Sequence, residues 1–193
     1  MRIVGGSHRG RRVSAPLGSA VRPTADRVRE ALFDILSHGR FAAGGNPLAA
    51  AAVLDAFAGT GAFGLEALSR GAAEAVFIER NGAALAALRR NVEALGETAR
   101  ARIIAGDATR PPRGDRACAV AFLDPPYGSG LAAPALAALA AAGWLAPRAL
   151  AVIEIAARES LAPAPGFMRL DERVYGAARL VFLGRGAAIG GSR

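Results

Sequence analysis

From residue 51 onward the sequence predicts an α/β fold, a parallel sheet with helices on both faces. Short apolar strand-type runs alternate with amphipathic helical stretches over short links, the pattern of βαβ units. A glycine-rich turn follows the first of these runs, and an acid closes the second, Glu79 lying 79 − 59 = 20 residues beyond Gly59. At 193 residues the chain is long enough to bury one core and leaves no room for a second large domain.

Residues 1–22 carry β-type pieces at Ile3-Val4 and Arg12-Val13 around Gly5-Gly6 and Gly10, which predicts a small hairpin appended to the main fold. Thr24 is placed to cap a helix whose apolar residues Val28, Leu32, Ile35 and Leu36 share one face and which stops near Gly39. The loop Phe41 to Ala50 is the joint, dividing the chain into an N-terminal basic hairpin and helix, residues 1–40, and a main domain, residues 41–193. In that domain Ala51–Ala56 reads as a buried strand, followed by the turn and a helix to Arg70 with Gly71 as its stop. Ala75–Glu79 is a strand, Asn81 caps a helix carrying Leu85, Leu88, Val92 and Leu95, and Gly96 ends it. Strands follow at Arg102–Ala105, Cys118–Leu123 and Leu150–Ile155, a helix at Leu131–Ala142, and a terminal hairpin at Met168–Tyr175 and Arg179–Leu183.

Composition narrows the function classes. The longest apolar run, Leu131 to Leu145, is alanine-rich and broken by Pro134 and Gly143, so no membrane span is expected, and the N-terminus lacks a secretory signal. The expected location is the cytoplasm. Cys118 is the one cysteine and His8 and His38 the two histidines, so neither a disulfide nor a metal site is expected. The net charge is +8 and every basic residue is arginine, but 48 alanines and 24 glycines betray a GC-rich coding bias that explains arginine over lysine by itself. Position says more: residues 1–40 hold eight Arg against three acids, net +5, and the other 153 residues only +3. A localised basic patch is the footprint of a protein that meets phosphates.

Gly59, Gly61 and Gly64 satisfy G-x-G-x-x-G after a strand and before a helix, the fingerprint of a pocket for a nucleotide-type cofactor. Asp55, just ahead of the glycines, is awkward for a pyrophosphate seated on the helix N-terminus and suits a cofactor with a cationic end, such as S-adenosylmethionine. The pattern D-x-F-x-G-T-G, Asp55 to Gly61 through Phe57, resembles motif I of class I methyltransferases, with Glu79 matching their ribose-binding acid. Asp107 and Ala108 match the position that meets the adenine ring. After the fourth strand, Asp124-Pro125-Pro126-Tyr127 is [DNS]-P-P-[YFW], the signature of methyltransferases that act on exocyclic or planar nitrogens. The residue types suit that chemistry. An exocyclic amine delocalises its lone pair into the base; the Asp124 carboxylate and the Pro125 carbonyl would accept its two hydrogens and aim the pair at the methyl carbon. Tyr127 offers a face on which a splayed-out base stacks.

Beyond these motifs, Arg2-Ile3-Val4-Gly5-Gly6, Arg9-Gly10-Arg11-Arg12, Arg22 to Phe33, Asp55 to Arg70, Glu79-Arg80-Asn81 and Asp124 to Tyr127 resemble the RsmD family of 16S ribosomal RNA (guanine-N2)-methyltransferases, over residues 1–185. The resemblance implies a Rossmann-like class I methyltransferase fold, with a mostly parallel seven-stranded sheet and a β-hairpin extension. It also implies S-adenosylmethionine as donor and methylation of a guanine N2 amine in 16S ribosomal RNA or an assembling small subunit. Within it Asp55, Phe57, Gly59, Gly61, Glu79, Arg80, Asp107 and Ala108 are the expected cofactor-binding residues. Asp124, Pro125, Pro126 and Tyr127 are the expected catalytic residues, and Arg9, Arg11, Arg12 and Arg22 the candidate phosphate contacts. A monomer is expected. The rival is an adenine-N6 methyltransferase using the same tetrapeptide on DNA or RNA, although 193 residues leave little room for a DNA target-recognition domain. A nicotinamide-dependent dehydrogenase would leave Asp124 to Tyr127 without a task, and a non-catalytic RNA-binding module would leave both Asp55 and Asp124 without one.

Overall fold

The computed structural model describes residues 1–15, 23–162 and 164–186, residues 23–26 through their backbone alone. Seven strands form one sheet: β1 (Ala52–Ala56), β2 (Glu74–Glu79), β3 (Ala101–Ala105), β4 (Cys118–Leu123), β5 (Leu145–Ala156), β6 (Phe167–Tyr175) and β7 (Ala178–Arg185). Their order is β3-β2-β1-β4-β5-β7-β6; β1 to β5 run parallel, and β7 is antiparallel to both its neighbours. The chain winds outward from β1 to β3 and then returns to place β4 on the other side of β1. That reversal opens a crevice beyond the C-terminal ends of β1 and β4, where open α/β sheets hold their ligands.

The central strands are apolar apart from Asp55 in β1 and the two ends of β2, Glu74 and Glu79, because both faces of the sheet are covered. On one face pack α1 (Pro23–His38), α2 (Ala62–Ser69) and α3 (Gly82–Leu95), with Leu32, Leu65 and Leu88 meeting Val53, Phe77 and Phe122. Phe122 stacks on Phe63 and tilts against Phe33, each pair of rings 5.6 Å apart. The other face is covered by α4 (Ala132–Ala141) together with Trp144, packed on Leu54, Ile78 and Ile153. Cys118 lies in this second core, where burial pushes its thiol up to about 12. Among the described residues no helix is long and apolar enough to cross a membrane.

The predicted N-terminal hairpin is present and short. Ile3 and Arg11, Gly10 and Ile3, and Val13 and Met1 are joined by backbone hydrogen bonds of 2.8–3.1 Å around a 3-10 turn at Gly6–His8. Ile3 and Val13 are buried in the same core as α1, α2 and α3. The hairpin is tied down by polar groups on α2 and just beyond α3: Glu66 accepts from the Val4 and Gly5 amides at 2.8 and 2.9 Å, Ser69 Oγ accepts from the His8 amide, and His8 Nε2 lies 2.5 Å from Glu97 Oε1.

Most boundaries fall within one or two residues of those expected from the sequence, and two differences have a clear physical cause. Helix α1 starts at Pro23, so Thr24 sits inside the first turn; proline is favoured there because its missing N–H would be unpaired anyway. Strand β5 starts at Leu145 rather than Leu150. Cys118 pairs with Leu145 and Val120 with Leu150, so Ala146–Ala149 bulge out, and the bulge is where a strand tolerates Pro147.

Candidate active site

The crevice is a cleft of about 950 Å³ bordered by the loop after β1, the ends of β2 and β4, and the turn after β3. Its floor is the glycine loop, in which Phe57, Gly59 and Gly61 all take left-handed backbone angles, φ +61°, +56° and +84°. At Phe57 that conformation costs roughly 1–2 kcal/mol, a strain of the kind that gathers at functional loops. The glycines divide their work. A β-carbon on Gly59 would meet nothing within 4 Å, so the backbone lies open to a ligand; one on Gly61 would sit 2.4 Å from Leu88 Cδ1, and one on Gly64 2.3 Å from Phe77 Cε1. Gly59 leaves room for a cofactor, and the other two let α2 lie close on the sheet and α3.

Glu79 is held on the cleft wall by backbone amides: Oε2 accepts from Gly59 at 2.8 Å, and Oε1 from Arg80 and Asn81 at 2.8 and 2.7 Å. The acid at the end of β2 thereby fixes the loop after β1. Asp55 is buried beneath that loop, outside the cleft lining, and Oδ2 accepts from the Gly64 amide at 2.9 Å. Burial raises its carboxyl to about 8, with the nearby Glu79 charge adding and the Gly64 hydrogen bond opposing. With its carboxyl raised this far by burial, Asp55 sets little negative charge beneath the glycine loop near pH 7, against the expectation from sequence that it repels a pyrophosphate there.

Gly106 and Ala108 line the wall beyond β3. Between them Asp107 makes an Asx turn, accepting from the Thr109 amide at 2.9 Å and its hydroxyl at 2.7 Å, and also meets the exposed Arg80 at 3.2 Å; the Thr109 bonds hold its carboxyl below the usual range. Asp124, Pro125, Pro126 and Tyr127 border the same cleft, leaving β4 opposite the glycine loop. The Asp124 amide donates to the Ala56 carbonyl at 3.4 Å, which ties this turn to the end of β1. Tyr127 is 38% exposed, and its hydroxyl donates to Glu154 Oε1 at 2.6 Å. The Gly128 amide donates to Glu159 Oε2 at 2.9 Å and fixes the following residue.

The basic candidates lie elsewhere. Arg9 and Arg11 are exposed near the hairpin tip, beside the C-terminal ends of α2 and α3 and therefore at the end of the sheet opposite the cleft, and Arg12 is exposed where the two arms of the hairpin pair, across from Arg2. Arg11 is already engaged, donating to the Ala94 carbonyl at 2.5 Å. Arg22 lies outside the described residues.

Three further polar residues border or brace the site and have no motif. Arg29, buried on α1, lines the cleft, donates to the Arg2 carbonyl at 2.6 Å and lies 3.9 Å from buried Glu66. Asn91 of α3 donates to the carbonyls of Ser14 and Thr60, both at 3.0 Å, and so joins the hairpin to the glycine loop. Glu154 of β5 lines the cleft beside Tyr127. Each stands where the apolar periodicity calls for a core residue, and that anomaly is the signal by which sequence alone can find them.

The seven-stranded sheet with its single reversed strand, together with a cleft that pairs an open glycine floor with the turn after β4, places the protein among the class I S-adenosylmethionine-dependent methyltransferases. Its relatives agree. Ribosomal RNA small subunit methyltransferase D of Escherichia coli K12 is 37% identical over 183 residues, 91% of this chain and 85% of that protein; the protein of the same name from Haemophilus influenzae is 32% identical over 180 residues, 91% and 89%. The solved structure of the Escherichia coli methyltransferase yhhF superposes with a TM-score of 0.81 at 36% identity, covering 97% of this chain and 99% of that one. The TrmN structure from Thermus thermophilus, 22% identical with a TM-score of 0.64 over 88% of this chain and 50% of its own, shares the fold. The family described as Conserved hypothetical protein 95 matches residues 1–184, and the chain belongs to it, the RsmD family.

Proposed function

We propose that the protein transfers a methyl group to the exocyclic N2 amine of a guanine in small-subunit ribosomal RNA, in the cytoplasm and on an assembling particle. The observation that carries this reading is the meeting of Asp124 to Tyr127 and the glycine loop in one cleft; the relatives named ribosomal RNA small subunit methyltransferase D support the substrate class.

The cleft fits S-adenosylmethionine. Gly59 leaves room above its backbone, Glu79 presents a carboxylate suited to ribose hydroxyls, and Gly106 and Ala108 line the edge for an adenine ring, with Asp107 in the turn between them. Bound there, S-adenosylmethionine supplies an electrophilic methyl carbon on a sulfonium, so the reaction calls for no metal. Phe57 and Arg80 line the same cleft, Gly61 lets the loop pack against Leu88 behind it, and Asp55 acts from below by fixing the Gly64 amide.

The protein's own task is to make a poor nucleophile reactive. The Asp124 carboxylate and the Pro125 carbonyl accept the two amine hydrogens, favour a pyramidal nitrogen and orient its lone pair; Pro126 keeps the turn rigid and Tyr127 stacks the base. As the nitrogen gains a bond it sheds one proton toward Asp124. Residues 1–40 form the RNA-contacting extension on a monomeric enzyme, with Arg9, Arg11, Arg12 and Arg22 as phosphate contacts.

Transfer of radiolabelled methyl from S-adenosylmethionine to unmodified small-subunit particles, to naked ribosomal RNA and to DNA, followed by nucleoside analysis, tests the reading. The expected product is N2-methylguanosine. Label in N6-methyladenine instead establishes the rival, and no label despite tight cofactor binding removes the catalytic role of Asp124 to Tyr127.

A further inference from the structure

Strand β5 is apolar from Leu150 to Ile155 except at Glu154, which is only 9% exposed and opens onto the cleft. A carboxylate withdrawn from water this far requires polar partners, and one is the Tyr127 hydroxyl at 2.6 Å. The register fixes its neighbour. Leu123, the last residue of β4, pairs with Ile153 of β5, so Asp124 is the first residue beyond β4 and follows the register of Glu154, which stays within β5 and pairs with Leu180 on its other side. Both carboxyl groups line the same cleft, and that of Glu154 is anchored at the rim of the ring offered to the base.

A pair of adjacent acceptors selects among bases. Guanine presents neighbouring donors on its Watson–Crick edge, the N2 amine and N1–H; adenine presents its N6 amine beside N1, a lone pair that a second carboxylate repels. Cytosine likewise sets an acceptor beside its amine. We propose that Glu154 is the specificity-determining residue that accepts the guanine N1–H while Asp124 and Pro125 hold the N2 amine. The inference rests on the guanine-N2 reading and names the group that enforces it.

The test replaces the target guanine with 2-aminopurine, which keeps the N2 amine and lacks N1–H, in whichever RNA or particle accepts label. The wild-type enzyme is expected to lose about 100-fold or more in kcat/KM on this substrate, because a site built around a donor rejects the analogue without it. E154Q still accepts from Tyr127 through its amide oxygen but offers N–H donors to N1. It should lose about 100-fold on guanine and bring the two substrates within about 10-fold of each other. Y127F removes the hydroxyl and keeps the acceptor pair, so its guanine preference should remain that of the wild type. Wild-type enzyme that methylates both substrates equally well overturns the proposal without any variant. So does an E154Q enzyme that loses activity on both in proportion, or a Y127F enzyme that copies E154Q, since Glu154 would then serve only to hold Tyr127. Wild-type product identified as N6-methyladenine defeats the guanine reading itself, a different outcome from any of these.

Discussion

Asp55 and Asp124 both sit at the cleft end of parallel strands, and their surroundings separate their tasks. Asp124 borders the cleft, where its carboxylate can take an amine hydrogen. Asp124→Ala should lower kcat/KM by about 10²- to 10⁴-fold while calorimetry finds cofactor affinity nearly unchanged. Glu79→Ala should do the reverse, costing about 10- to 100-fold in cofactor affinity through the loss of charged hydrogen bonds. Asp55 is buried and holds its proton up to about 8 in the folded chain, against about 4 when unfolded. Between those values the native state binds more protons than the unfolded state. Its contribution to stability is therefore full below pH 4 and is lost as pH rises toward 8 and beyond. Asp55→Asn keeps an oxygen for the Gly64 amide and removes the titration, so denaturant midpoints measured from pH 4 to 9 should fall less steeply than in the wild type. The motif singles out Asp55, but burial, which decides its charge, is not written in the motif.

At the scale of elements, α2 is the piece on which the cleft depends. Its first turn begins where the glycine loop ends, and Gly64 lets it press on Phe77 of β2. Gly64→Ala should destabilise the chain by about 1–3 kcal/mol through overpacking, read as a lower urea midpoint with an unchanged slope. Regular elements were legible where local pattern and tertiary context agree: β4 occupies Cys118–Leu123 in both readings, and α3 has its Asn81 cap, bonded to the Ala84 amide at 3.0 Å, and its left-handed Gly96 stop. The first half of β5 was hidden because Pro147 and Arg148 read as a break, and only pairing with Cys118 reveals a bulge. Glu154, Arg29 and Asn91 escaped for the complementary reason that a polar residue on an apolar face gains its meaning from a neighbour distant in sequence. Motifs, being local, exposed the glycine loop and the Asp124 turn at once.

For the molecule as a whole, the excess positive charge has a direction. Arg9 is exposed at the end of the sheet away from the cleft and Arg12 on the paired arms of the hairpin, so an RNA held there and in the cleft would run along the flank formed by the hairpin. Replacing Arg9 and Arg12 by alanine should weaken RNA binding and reduce the slope of log K against log salt by about 0.7–0.9 for each phosphate no longer neutralised, as measured by titration at several salt concentrations. An unchanged slope places the phosphates on another face. Charge counting located this patch in the chain; its distance from the chemistry became visible only when the hairpin was seen lying alongside α2 and α3.

That same docking sets an order of events during synthesis. The hairpin's partners are Glu66, Asn91, Ala94 and Glu97, so the first fifteen residues leave the ribosome long before anything exists to receive them. At about 5–20 residues per second, roughly 5–20 s pass between Gly5 and Glu97. For that interval Ile3 and Val13 lack the core they occupy in the folded chain. Because Asn91 grips both Ser14 and Thr60, neither the hairpin nor the glycine loop has its full set of partners until α3 is in place.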